Sequence, residues 1–137
     1  MLYHIVCPVK YRKAVITREI AQTIKQACEE ISQCYEIHFV EIGTDEDHVH
    51  FLTQSVPMML AASMVQTIKS ITAKKIFKQH PALKIQLHKG KFWTSGYYIN
   101  TVGRYGSETV ISNYVKNQGK TYTQIFRNQL TLFEGVE

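Results

Sequence analysis

Several ingredients are scarce in this 137-residue chain, and each scarcity narrows what it does. There are three cysteines, Cys7, Cys28 and Cys34, an odd number with no Cys-x-x-Cys pair. Neither a disulfide framework nor a zinc knuckle is built from such a set, so buried, reduced thiols are expected. No apolar run approaches the roughly 20 residues that a bilayer requires, and no signal-peptide layout opens the chain. A soluble protein of the cytoplasm, with no membrane partner, is therefore expected. Internal repeats and low-complexity stretches are lacking. Acidic residues are few: 11 against 16 lysines and arginines, for a net charge of +5. That balance suits a polyanionic partner, although it is shared by proteins with no nucleic-acid role.

The positive charges fall in groups. Lys10, Arg12 and Lys13 follow the first apolar segment. Lys69, Lys74, Lys75 and Lys78 recur in a helical stretch, and Lys84, His88, Lys89 and Lys91 lie near Phe92 and Trp93. Cations interleaved with aromatics suit phosphate contacts and base stacking. With 45% hydrophobic residues, the chain has the composition of one globular domain spanning 1–137.

The chain is organised around Asp47-His48-Val49-His50-Phe51-Leu52. On a strand, residues two apart share a face. His48 and His50 then project side by side, while Val49 and Phe51 point to a core. Two imidazoles on a rigid strand are able to hold one divalent metal ion, or else stand as ordinary half-buried histidines.

The remaining elements follow from periodicity. Leu2–Cys7 reads as a first strand. Thr17 caps a helix whose Ile20, Ile24, Ala27 and Ile31 form one apolar face to about Ser32. Tyr35–Ile42 alternates as a second strand, 43–47 is a polar turn, and His48–Ser55 is the third strand, antiparallel to the second. Pro57 fits the first turn of a helix with a stripe of Leu60, Met64, Ile68, Ile71 and Ile76, ending before Pro81. Lys84–Leu87 reads as a short extended piece, and Phe92–Val102 as the last strand. Ser107 caps a final helix that stops at Gly119. Tail residues 120–137 are expected to pack on the body. The order β-α-β-β-α-β plus a helix predicts an α+β, ferredoxin-like (RRM-like) fold: a four-stranded antiparallel sheet with helices on one face.

On the final helix, Val110, Ile111, Tyr114, Val115 and Gln118 fall on one side. Tyr114 and Gln118 are four residues apart, so their side chains meet. Gln118 is able to offer an amide oxygen to a metal, and Tyr114 stands one turn away. A buried tyrosine beside a solvated glutamine at the helix end is the plainer alternative.

These residues carry a resemblance. His48-Val49-His50, with Asn113-Tyr114-Val115-Lys116-Asn117-Gln118-Gly119, resembles the single-tyrosine HUH (histidine–hydrophobic–histidine) transposases of small bacterial and archaeal insertion sequences, of the IS200-like type. Tyr3-His4-Ile5-Val6, Lys10-Tyr11-Arg12 and Lys69-Ser70-Ile71-Thr72-Ala73 match as well. The resemblance implies that His48 and His50 ligate a divalent metal, Mg2+ or Mn2+, with Gln118 as third ligand, and that Tyr114 is the nucleophile. It implies cleavage and rejoining of single-stranded DNA through a 5′-phosphotyrosine, in a homodimer that binds DNA hairpins at element ends. Tyr114 then acts on its own chain's histidines or on its partner's. Lys10, Arg12, Lys13, Lys69, Lys74, Lys75 and Lys78 are the candidate DNA contacts. Asp47 or Glu46 either orients a histidine or sits in a solvated turn. A domesticated endonuclease or replication initiator would keep this chemistry. A water-using metal hydrolase would need no Tyr114, and an RRM-like RNA-binding module would place exposed aromatics on the central strands.

Overall fold

The computed structural model describes residues 2–55, 59–87, 90–103 and 123–127. Its elements are β1 (Leu2–Pro8), a 3-10 turn (Lys10–Arg12), α1 (Arg18–Cys34), β2 (Ile37–Thr44), β3 (His48–Ser55), α2 (Ala61–Gln79), α3 (Ala82–Gln86), β4 (Tyr98–Gly103) and β5 (Thr123–Arg127). The sheet is antiparallel with order β4-β1-β3-β2-β5. Its first four strands have the ferredoxin-like arrangement that the sequence predicts.

One face of the sheet is the core. Ile5 and Cys7 of β1, Phe39 and Ile42 of β2, and Val49 and Phe51 of β3 join Ile20, Ile24 and Ile31 of α1 and Met64, Ile68 and Ile76 of α2 in one buried cluster. Thr17 caps α1, its hydroxyl accepting from the Ile20 amide at 3.3 Å. Buried Thr72 of α2 donates to its own helix, to the Ile68 carbonyl at 2.6 Å, and accepts from the Trp93 indole at 2.9 Å.

The other face collects the histidines. Val6 lies opposite His50, and His4 opposite Leu52. Across the next pair, Tyr98 lies opposite Val6 and Asn100 opposite His4. Directly paired residues share a face, so His4, His48, His50, Tyr98 and Asn100 stand on the side away from α1 and α2.

Several expectations need correction. The sheet has five strands, because part of the tail, Thr123–Arg127, pairs with β2 along Glu41–Thr44. β2 does not alternate through its length. A bulge between Phe39 and Glu41 moves Glu41 onto the face of Leu52 and returns Ile42 to the core opposite Phe51. β2 also runs on to Thr44, which trims the turn to Asp45-Glu46-Asp47. Residues 84–87 are not extended: Pro81 starts α3 at Ala82–Gln86, where Leu83 buries itself. The last of the predicted strands begins at Tyr98 rather than Phe92, since Phe92 and Trp93 are buried in the core and only Val9 bridges Trp93. α2 starts at Ala61 with exposed Leu60 as N-cap, later than Pro57, which lies outside the described residues. Cys7 and Cys28 are buried, but Cys34 is exposed at the end of α1. The predicted helix 107–119 also lies outside the described residues.

Candidate metal centre and basic groove

The β2–β3 hairpin builds the centre. Its turn closes with the Asp45 amide donating to the His48 carbonyl at 2.9 Å. That closure sets the Asp45 side chain against the imidazole it faces: Asp45 Oδ2 lies 2.8 Å from His48 Nε2 and 3.9 Å from His50 Nε2. One ligand atom from each of the three residues lies within 4.8 Å of the others. The remaining oxygen, Asp45 Oδ1, is buried without a hydrogen-bond partner among the described residues. A buried carboxylate with an unused oxygen beside two imidazoles is short of positive charge. Two nitrogens and a carboxylate suit Mn2+ or Mg2+, with Mn2+ favoured by the imidazoles. The residues present therefore fit a divalent cation.

The other nitrogen of each imidazole is also engaged. His48 Nδ1 donates to Asp47 Oδ1 at 2.7 Å, which leaves Nε2 facing Asp45. Asp47 is in turn met by Arg12, whose Nε donates to Oδ2 at 3.1 Å. Its carboxyl is held below the usual carboxylate range, first by the His48 hydrogen bond and also by Arg12. His50 Nδ1 lies 3.0 Å from Nε2 of His4. Burial pushes His50 down to about 4, with repulsion from His48 adding and Asp45 opposing. His4 falls to about 4 as well, through burial and then repulsion from His50. Both rings are accordingly neutral at physiological pH, the form in which an imidazole nitrogen is free to bind a metal.

Arg12 reaches Asp47 from a strained turn. Tyr11 has φ 60° and Arg12 φ 52°, a left-handed conformation that costs a non-glycine residue about 1–2 kcal/mol. Four contacts impose it. Val9 donates to the Asp47 carbonyl, Lys10 to that of Phe92 and Arg12 to that of Val9, each at 2.8 Å, and the Arg12–Asp47 pair adds the fourth.

The candidate basic residues separate into two kinds. Lys10, Lys69 and Lys74 line a groove of about 600 Å3 with Lys91, Tyr11 and Trp93, and no acidic residue is among its lining. Lys10 stands over the Tyr11 ring at 5.4 Å. Lys69 is tied to the groove wall, donating to the carbonyls of Thr94 at 2.7 Å and Ser95 at 3.3 Å. The others are committed or apart: Lys13 donates to the Gln86 carbonyl, Lys75 to Glu30 of α1 at 2.8 Å, Arg12 to Asp47, and Lys78 is exposed on α2. Phe92 and Trp93 are core residues and do not offer stacking faces, whereas Tyr11, Tyr97 and Tyr98 are exposed.

His48 and His50 are thus brought together as predicted, and of the two acids proposed to orient a histidine it is Asp47 that does so. Glu46 is exposed. Tyr114 and Gln118 lie outside the described residues. Asp45 and His4 escaped the sequence reading. Asp45 had a signal in its place at the mouth of a hairpin turn, three residues before His48. His4 had one in the alternation of β1, visible once β1 is paired with β3.

Known proteins resemble this chain in sequence and in fold. The family described as "Transposase IS200 like" matches residues 1–118. The ISDra2 transposase TnpA of Deinococcus radiodurans is 29% identical over 116 residues, covering 85% of this chain and 82% of that protein. The transposase for insertion sequence element IS200 of Salmonella typhimurium is 28% identical over 116 residues, covering 85% and 75%. A crystal structure assigned to a transposase of D. radiodurans R1 superposes with a TM-score of 0.70 at 27% identity, over 86% of this chain and 90% of that one. A REP-associated tyrosine transposase bound to a REP hairpin shares the fold, with a TM-score of 0.56 at 9% identity over 82% and 61%. With a match from residue 1 to residue 118 on a ferredoxin-like sheet that presents His48 and His50 together, the chain belongs to the IS200-like transposase family.

Proposed function

We propose that this transposase cuts and rejoins single-stranded DNA at insertion-sequence ends through a covalent bond to Tyr114. The convergence of Asp45, His48 and His50 carries the reading, because it offers a divalent-cation site, and a separate groove lined by Lys10, Lys69, Lys74 and Lys91 with no acidic residue supports it as a path for a polyanion. His48 and His50 would hold Mg2+ or Mn2+, with Gln118 as a further ligand. When bound, the cation polarises a non-bridging phosphate oxygen and orients the phosphate. The Tyr114 hydroxyl oxygen attacks the phosphorus, the bond to the 3′ oxygen breaks, and the proton leaving the phenol ends on the released 3′-hydroxyl. The product is a 5′-phosphotyrosine. It preserves the phosphoester, so a second 3′-hydroxyl attacks and reseals the strand without ATP. Asp47 and Arg12 keep His48 aimed.

Lys10 and Lys74 contact backbone phosphates in the groove, and exposed Tyr11 offers a face to a base. Hairpins at the element ends are the proposed DNA form. A protein of this fold is bound to a REP hairpin in its own solved structure. The protein works as a homodimer in which Tyr114 serves either its own histidines or its partner's.

The test is a denaturing gel with 3′-labelled single strands from the flanks of the gene, with Mn2+ or Mg2+. A label-bearing protein band, lost with EDTA and in Tyr114→Phe, supports the reading. Cleavage that persists in Tyr114→Phe overturns it in favour of a water-using nuclease.

A further inference from the structure

His4 has no part in the chemistry above, yet it is 6% exposed and touches the candidate metal centre. It lies on β1, one strand away from the hairpin that carries the other site residues. The planes of the His4 and His50 rings differ by 4°, their centroids are 5.2 Å apart, and His4 Nε2 is 3.0 Å from His50 Nδ1. That nitrogen separation is close to the shortest that such a centroid separation permits. Both nitrogens therefore sit near the line joining the centroids. Each nitrogen lies in the plane of its own ring, so the parallel rings are nearly coplanar and meet edge to edge, not face to face. In this geometry an N–H on one ring points along the lone pair of the other.

Which ring donates is decided by the metal. His50 Nε2 is the nitrogen turned toward Asp45, 3.9 Å from its Oδ2. With a cation on Nε2, the only proton of a neutral His50 is on Nδ1. Nδ1–H must then donate, and His4 Nε2 must accept.

We propose that His4 is the positioning residue for His50: its unprotonated Nε2 accepts the His50 Nδ1 proton, fixes the His50 tautomer and holds its ring in plane for the cation. This inference rests on the metal reading of Asp45, His48 and His50. It gives the two imidazoles different supports. His48 donates to a carboxylate, Asp47, while His50 donates to a neutral ring. The charge already present from Asp45 and Asp47 is not increased on the His50 side. Tyr98 closes edge-on over His4, with ring centroids 6.1 Å apart, and helps keep the acceptor ring in place.

The experiment measures Mn2+ affinity by the EPR signal of free Mn2+ in the full chain and in His4→Phe, His4→Gln and His50→Ala. Loss of an orienting partner in this class of site lowers affinity about 10–100-fold. His4→Phe keeps a ring but no acceptor, and is expected to weaken Mn2+ binding within that range. His4→Gln, which brings back a carbonyl acceptor, is expected to recover most of it. Affinity in His4→Phe equal to wild type, while His50→Ala is weakened, overturns the role of His4 alone. Equal affinity in all four proteins overturns the metal reading and this inference together. A second measurement needs no variant. Long-range 1H–15N spectra of the wild-type protein with Mg2+ are expected to show His50 protonated at Nδ1 and His4 unprotonated at Nε2, and a proton on His4 Nε2 refutes the proposal.

Discussion

Asp47→Asn separates the two contacts that hold His48 in place. Asp47 presents one oxygen to His48 Nδ1 at 2.7 Å and the other to Arg12 Nε at 3.1 Å. Both partners are donors. An asparagine of the same shape has one oxygen and one NH2, so it satisfies either His48 or Arg12, never both. If the oxygen goes to His48, a charged hydrogen bond becomes a neutral one. The difference between these classes is on the order of 1 kcal/mol. Since about 1.4 kcal/mol corresponds to tenfold in binding, Mn2+ affinity is expected to fall roughly 5–10-fold. If the oxygen goes to Arg12, the NH2 meets His48 Nδ1–H and the loss is larger. Folding stability should hardly move, because the Arg12–Asp47 pair is solvent-exposed and such pairs contribute about 0–1 kcal/mol. Arg12→Ala, which spares the Asp47–His48 bond, should weaken Mn2+ by no more than a few-fold. Isothermal titration with Mn2+, beside urea unfolding of the same proteins, reads both quantities. Unchanged Mn2+ affinity in Asp47→Asn refutes the orienting role, as does an Arg12→Ala loss equal to that of Asp47→Asn.

Phe51→Ala removes a fully buried ring that packs against Phe39 with centroids 6.0 Å apart, and is expected to cost about 3–5 kcal/mol in urea unfolding. A loss below about 1 kcal/mol would show that this face is not the core. For metal-free protein, stability should fall as pH drops from 6.5 toward 4. His4 and His50 are lowered to about 4 in the fold, so the unfolded chain binds more protons throughout that window. Each imidazole contributes about 2 kcal/mol after allowance for solvent screening. Stability that is level between pH 7 and 5 contradicts the burial of this pair. Lys74→Ala should reduce the salt dependence of single-strand binding by roughly 0.7 in the log–log slope, the contribution of one phosphate contact. Lys75→Ala, whose amine is bound to Glu30, should leave that slope unchanged.

What the sequence reveals is what repeats. α1 is legible because its apolar residues recur with helical spacing and Thr17 supplies a cap. The pairing of β2 with β3, and the common face of His48 and His50, follow from alternation and a short polar turn. Features set by tertiary packing are hidden. The bulge in β2 breaks the alternation that would have placed Glu41, and only the partner register with Leu52 and Phe51 exposes it. The stretch 92–97 is rich in β-formers, yet Phe92 and Trp93 are claimed by the core and the indole by Thr72. β5 carries the strand pattern Thr123-Gln124-Ile125-Phe126-Arg127, but nothing local says that the edge of β2 awaits it. Within the site, residues on one strand are legible from sequence. Asp45 and His4 are not, since each reaches His48 or His50 across a turn or a strand pair. The cluster of lysines on α2 conceals a further distinction, because neighbours in sequence part company: Lys74 lines the groove while Lys75 is spent on Glu30 of α1.

One tyrosine of eight, Tyr114, is expected to become joined to DNA. Its most direct test is peptide mapping by mass spectrometry of the protein–DNA adduct formed with Mn2+, after nuclease digestion to a residual 5′-phosphonucleotide. That mass addition is expected on the peptide containing Tyr114, with none on peptides containing Tyr11, Tyr97 or Tyr98. The addition on any other tyrosine, or cleaved DNA with no modified peptide, contradicts it.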